Sequence, residues 1–167
     1  GGPLYRLGMP GYVANEHAGV ALGIARCALD RFIEKETART RSYVPGGTAL
    51  AARATTQRSL GQMELRLRAA KLLALDVNDA AWDTVQAGET VSVRQQCELR
   101  AAATYCTEVA LDIVKDVFRQ AGGSAIYLQN VLQQCLRDIN VAAQHRMVSE
   151  ATSRTWGRSC WASRTST

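Results

Sequence analysis

The chain has 167 residues, 47% of them hydrophobic and 21% charged, enough apolar material for one buried core and too much for a disordered chain. Its net charge, 20 − 15 = +5, comes mostly from arginines spread along the chain: only Lys35, Lys71 and Lys115 are lysines. With no basic block and few aromatics, this argues against a nucleic-acid partner. No apolar run approaches ~18 residues and residues 1–11 do not resemble a secretory leader, so the chain reads as cytoplasmic, with no membrane partner.

Residues 1–10, punctuated by Pro3 and Pro10, are expected to be a linker or an expression scar. A first helix is predicted over 11–40, where Ala18, Leu22, Ala25, Leu29 and Phe32 recur at i+3/i+4 and Val20, Ile24 and Ala28 mark a second apolar face. Tyr43-Val44-Pro45-Gly46-Gly47 is a turn, because proline fixes φ and the glycines accept positive φ. A second helix follows over 48–88, with Leu60, Met63, Leu67, Ala70, Ala74, Val77 and Ala81 on its apolar stripe and arginines on its polar side. Ser92 is placed to cap a third helix over 92–121, which ends at Gly122-Gly123. A fourth is predicted over 130–156 from Leu132, Leu136, Ile139, Ala143 and Met147, and an irregular tail over 158–167. Strand alternation is almost absent. The fold class is therefore all-α, an antiparallel up-down four-helix bundle occupying 11–157. Helices of ~30 residues reach ~45 Å, and two-sided apolar patterning predicts association of this chain with itself as a dimer or tetramer.

Few residues carry chemistry. The five cysteines (Cys27, Cys97, Cys106, Cys135, Cys160) show no metal-ligand spacing, so no metal is expected and the thiols read as reduced and buried. His17 has no partner near it in sequence and reads as structural or surface. His145 follows Asp138 by seven residues, which on a continuous helix puts both on one face about 10 Å apart, beside Arg137. Gly122-Gly123-Ser124 is either a helix stop or a cradle where bare backbone approaches an anion or a flavin. No nucleophile elbow accompanies the serines, which excludes a hydrolase triad.

The run FRQAGGSAIYLQNVLQQCLRDINVAAQH (residues 118–145) resembles the last third of the C-terminal domain of the acyl-CoA dehydrogenase superfamily. Its AAQH ending resembles the two-component flavin-dependent monooxygenase branch. HAGVALGIARCALDRFIE (17–34) and LGQMELRLRAAK (60–71) are similar to that domain's first two helices. The resemblance implies a C-terminal flavin-binding and oligomerisation domain of an enzyme that forms a hydroperoxyflavin. It would use FMN or FAD, reduced by a separate reductase component, on a small-molecule substrate. His145 would then be the catalytic residue at the flavin's reactive edge. Arg41, Gly122 and Gly123 would bind the cofactor, Arg41 at the flavin phosphate of a neighbouring subunit. Arg137 and Asp138 would hold the pocket helix. The EGT stretch that carries the base in many dehydrogenases is missing, Glu150 being followed by Ala151 and Thr152. An acyl-CoA dehydrogenase domain is thus the second expectation, and a non-catalytic oligomerisation module the third. Whole enzymes of this kind are more than twice as long, so the chain is not expected to be active alone.

Overall fold

The computed structural model describes residues 2–35, 37–40, 47 and 49–165. Five α-helices account for most of them: α1 (Gly8–Lys35), α2 (Ala54–Gln86), α3 (Val93–Ala121), α4 (Val131–Ala142) and α5 (Glu150–Thr165). Among the described residues there is no strand, only a single bridge between Thr40 and Ala49.

The buried positions repeat at alternating intervals of four and three residues. On α1 they are Ala14, Ala18, Ala21, Ala25, Ala28 and Phe32; on α2, Met63, Leu67, Ala70, Ala74, Val77 and Ala81; on α3, Leu99, Ala103, Cys106, Ala110, Ile113 and Val117. That spacing keeps one stripe on one side of a helix and favours nearly aligned packing. The α1 stripe is nearly all alanine, and α1 packs more extensively on α3 than any other two elements do. Small side chains let these backbones come close, while Leu29, Phe32, Leu99 and Ile113 fill the space the alanines leave.

Cross-helix pairs give the directions. Gly88 lies beside Arg6, and Arg26 pairs with Glu64, so α2 runs antiparallel to α1. Gln120 donates to Ser59, Arg66 to Asp112 and Cys106 to the Ala70 carbonyl, so α3 runs antiparallel to α2. α4 descends along α1 and α3, completing the up-down-up-down bundle. Arg26 clamps α1 to α2 through two bonds to Glu64 (2.7 and 2.8 Å) while also meeting Asp30 at 2.8 Å. Its carboxylate partners hold the guanidinium above its ordinary range.

Caps set the ends. Ser92 and Gln95 form a reciprocal capping box at the start of α3, as its sequence position predicts. Gly122, at φ 63°, stops α3, and the Asn130 side chain accepts from the Leu132 N–H to start α4.

Several boundaries differ from expectation. Residues 3–10 belong to the fold: a 3-10 turn (Pro3–Leu7) leads into α1, Leu7 is buried, and its carbonyl accepts from Gln96 Nε2 at 2.6 Å. α2 starts at Ala54, six residues later than predicted. The helix expected over 130–156 is two helices, because α4 ends at Ala142 and a 3-10 turn (Arg146–Val148) intervenes. The tail expected to be irregular continues α5 to Thr165, which lies against α3: Arg100 meets Thr152, and the Arg94 guanidinium sits 5.2 Å from the Trp156 ring centre. The turn at 43–47 and Arg41 fall largely or wholly outside the described residues.

Candidate functional site

His145 stands in the link between α4 and α5, not on a helix. Its backbone is extended (φ −67°, ψ 135°), and it caps the following 3-10 turn, with Nδ1 accepting from the Met147 N–H at 3.3 Å. The two-turn relation with Asp138 inferred from a continuous helix therefore does not hold: α4 stops at Ala142, between the two residues. Asp138 and Arg137 remain on α4 and are exposed. Asp138 acts on Cys135, whose thiol is pushed up to about 12, chiefly by burial and then by contact with Cys27. Of the cysteines expected to be buried, Cys106 and Cys135 are; burial pushes Cys106 up to about 11, whereas Cys27 is exposed.

The neighbour of His145 is one that its sequence position hides. The His17 ring, from α1, stacks on it with centres 5.1 Å apart and planes 27° off parallel. His17 is half-buried and His145 exposed. Burial lowers the His17 pKa first, the proximity of His145 adds to this, and a backbone hydrogen bond with Ala142 pulls the other way. The two residues are far apart in sequence, and His17 sits on a helix where an isolated histidine carries no motif. Only the packing of α4 on α1 brings them together.

Committing Nδ1 to an N–H leaves the proton of a neutral imidazole on Nε2. With the ring exposed, that Nε2–H is a donor held in one tautomer and available to a group docked against this face. An acceptor that develops negative charge is the natural partner.

The glycine pair lies at the other end of the bundle. His17 is separated from the α1 C terminus by roughly 27 Å of helical rise, and α3 ends beside that terminus, since α1 and α3 rise together from the contact between Gly11 and Leu99. Gly122 supplies the positive φ that stops α3, and a side chain at Gly123 would meet open space within 4 Å. Two residues before Gly122, Gln120 lines a cleft with Arg53, Thr55, Thr56, Ser59, Arg119 and Asp116, the last two paired with each other, at the N terminus of the long α2. Arg53, the hydroxyls and the helix N terminus favour an anionic group there, while Asp116 offsets the charge of Arg119. No helix among the described residues is long and apolar enough to cross a membrane.

Comparison with known proteins bears on this arrangement. Residues 16–150 match the family described as acyl-CoA dehydrogenase, C-terminal domain. An indole-3-acetate monooxygenase from Pseudomonas putida is 31% identical over 150 residues, and one from Acinetobacter baumannii 29% over 133. These alignments cover 90% and 80% of this chain but only 38% and 34% of the relatives, so the chain spans little more than a third of their length. Among solved structures, XiaF from a Streptomyces species, in complex with FADH2 and glycerol, superposes with a TM-score of 0.85 at 21% identity, covering 92% of this chain and 39% of its own. The HsaA monooxygenase of M. tuberculosis gives 0.83 at 15% identity, covering 96% and 41%.

Proposed function

The chain belongs to the acyl-CoA dehydrogenase C-terminal domain family, and from that premise we propose that it is the C-terminal flavin-binding and oligomerisation domain of a reduced-flavin-dependent monooxygenase. The observation that carries this reading is the likeness, over four-fifths or more of the chain, to two indole-3-acetate monooxygenases. It takes precedence over an acyl-CoA dehydrogenase domain.

The residues present fit a flavin in two places. At one end of the bundle, the exposed His145 offers a single Nε2–H to the reacting edge of the ring system. At the other, Gly122, Gly123 and the nearby cleft with Arg53 and Arg119 suit the cofactor's phosphate, and the family resemblance adds Arg41, which lies outside the described residues, to that role. The distance between these ends supports their serving two different cofactors, with each flavin held between subunits of a dimer or tetramer. FMN or FAD, delivered reduced by a separate reductase, supplies oxygen activation when bound.

This chain's own part is positional and electrostatic. His145 places a hydrogen-bond donor where negative charge grows on oxygen and holds the proton that the oxygen accepts. Domains preceding this chain would shelter that face from water and line the substrate pocket. Arg137 and Asp138 would hold α4 in place from its exposed side.

The test is His145→Ala in the full-length enzyme. Reduced flavin should bind as tightly as before, while oxygenated product falls by about a hundredfold and hydrogen peroxide replaces it, the loss usual for one such donor. An undiminished product yield would return His145 to a purely structural role.

A further inference from the structure

We propose that His17 is a positioning residue for His145, its ring forming the platform that fixes the plane of the second imidazole. The proposal rests on the reading of His145 as the flavin-facing donor. Backbone bonds to Ala142 and from Val148 fix the main chain of His145, but its ring is exposed in the short link between two helices and accepts one long hydrogen bond, at 3.3 Å, from the Met147 N–H. One long bond to a ring nitrogen selects the tautomer only while it is made, and by itself it lets the ring swing out of that contact. His17 has the opposite character. It projects from α1 between the buried Ala14 and Ala18 turns, on a helix held along its length by its close packing against α3. Its Nε2 is shielded from solvent and meets no hydrogen-bond partner among the described residues. An aromatic ring fixed to a rigid helix and stacked at 5.1 Å restricts the swing that the Met147 contact permits. Donors placed by a rigid supporting layer lose least on reorganising when charge develops.

The requirement is for a flat ring at position 17, not for a histidine's proton, which makes the proposal separable from acid–base explanations. His17→Phe keeps the flat ring, and His17→Leu fills similar volume without one. In 15N-histidine-labelled chain, the wild type should show His145 in one tautomer, with Nδ1 unprotonated and Nε2 protonated, and a nuclear Overhauser effect between the two rings. His17→Phe should preserve the tautomer and a ring-to-ring effect. His17→Leu should lose the single-tautomer pattern, giving averaged nitrogen shifts. Absence of the ring-to-ring effect in the wild type, or an unchanged His145 pattern in His17→Leu, would overturn the proposal without any flavin present.

In the full-length enzyme, the share of reduced flavin whose oxidation by oxygen releases free hydrogen peroxide should rise in His17→Leu and return to the wild-type level in His17→Phe. A rise in His145→Ala without one in His17→Leu also overturns the positioning role. If His145→Ala leaves that share unchanged, the functional reading of His145 fails, while the nuclear magnetic resonance result still decides whether His17 orients it.

Discussion

A histidine stacked on another histidine and shielded from water is penalised for taking up a proton twice, once by desolvation and once by its neighbour's charge. His17 shows both effects, with burial the larger. Its folded-state pKa lies below the ordinary 6.5, so on acidification the unfolded chain takes up its proton first, and stability falls as the pH drops from about 6.5 through the lower folded value. Above that window the group contributes nothing to the pH dependence. His17→Phe removes this proton while keeping the ring. Urea midpoints of wild type and variant should therefore run parallel near pH 7.5 and diverge toward pH 5, with the wild type losing more; identical acid slopes would refute the assignment. The pair was not legible in the sequence. Residues 17 and 145 become neighbours through the docking of α4 on α1, and no local spacing encodes it.

Between residues and bundle lies the α1–α3 seam. Ala21, Ala25 and Ala28 are wholly buried, so the spacing of the two helices is set by methyl groups. Ala25→Leu adds three heavy atoms where neither backbone can retreat without disturbing Leu29, Phe32 and Ile113. Overpacking typically costs ~1–3 kcal/mol, and a close seam with little slack belongs at or above the upper end. Chemical denaturation should show that loss with unchanged helicity; a variant as stable as wild type would mean the seam is loose. The alternating four-three repeat on α1, α2 and α3, the Ser92 cap and the Gly122 stop were all readable in advance, because each depends on residues within a few turns of one another. The break after Ala142 was not. Apolar periodicity continues through Ala143 and Met147, and nothing between them is a strong helix breaker. What ends α4 is its packing, with Val148 turned into the core and His145 capping the next turn.

For the whole molecule, the second apolar stripe on α2 has the most to say. Leu65, Leu72, Leu75 and Trp82 recur along one side of the helix and remain exposed at 68%, 57%, 48% and 37%, more large apolar surface than one solvent-facing helix usually carries. We expect self-association through this stripe, so light scattering at tens of micromolar should give a multiple of 18.1 kDa, and Leu72→Asp should reduce it toward the monomer. A monomeric wild type would remove the support for cofactor sharing between subunits. The sequence by itself determined the fold class, the three long helices, their buried faces and the family, since amphipathic periodicity and capping are properties of short segments. It also singled out His145 and the glycine pair, by resemblance. The tertiary structure alone decided where those residues stand: the histidine off its helix and against His17, the glycines at the far end of the bundle near a polar cleft that holds Arg53, and residues 3–10 and 158–165 within helical elements. The physical reason is that a helix's existence follows from contacts among near neighbours, whereas a site is made by side chains that meet only when separate helices bury their faces together.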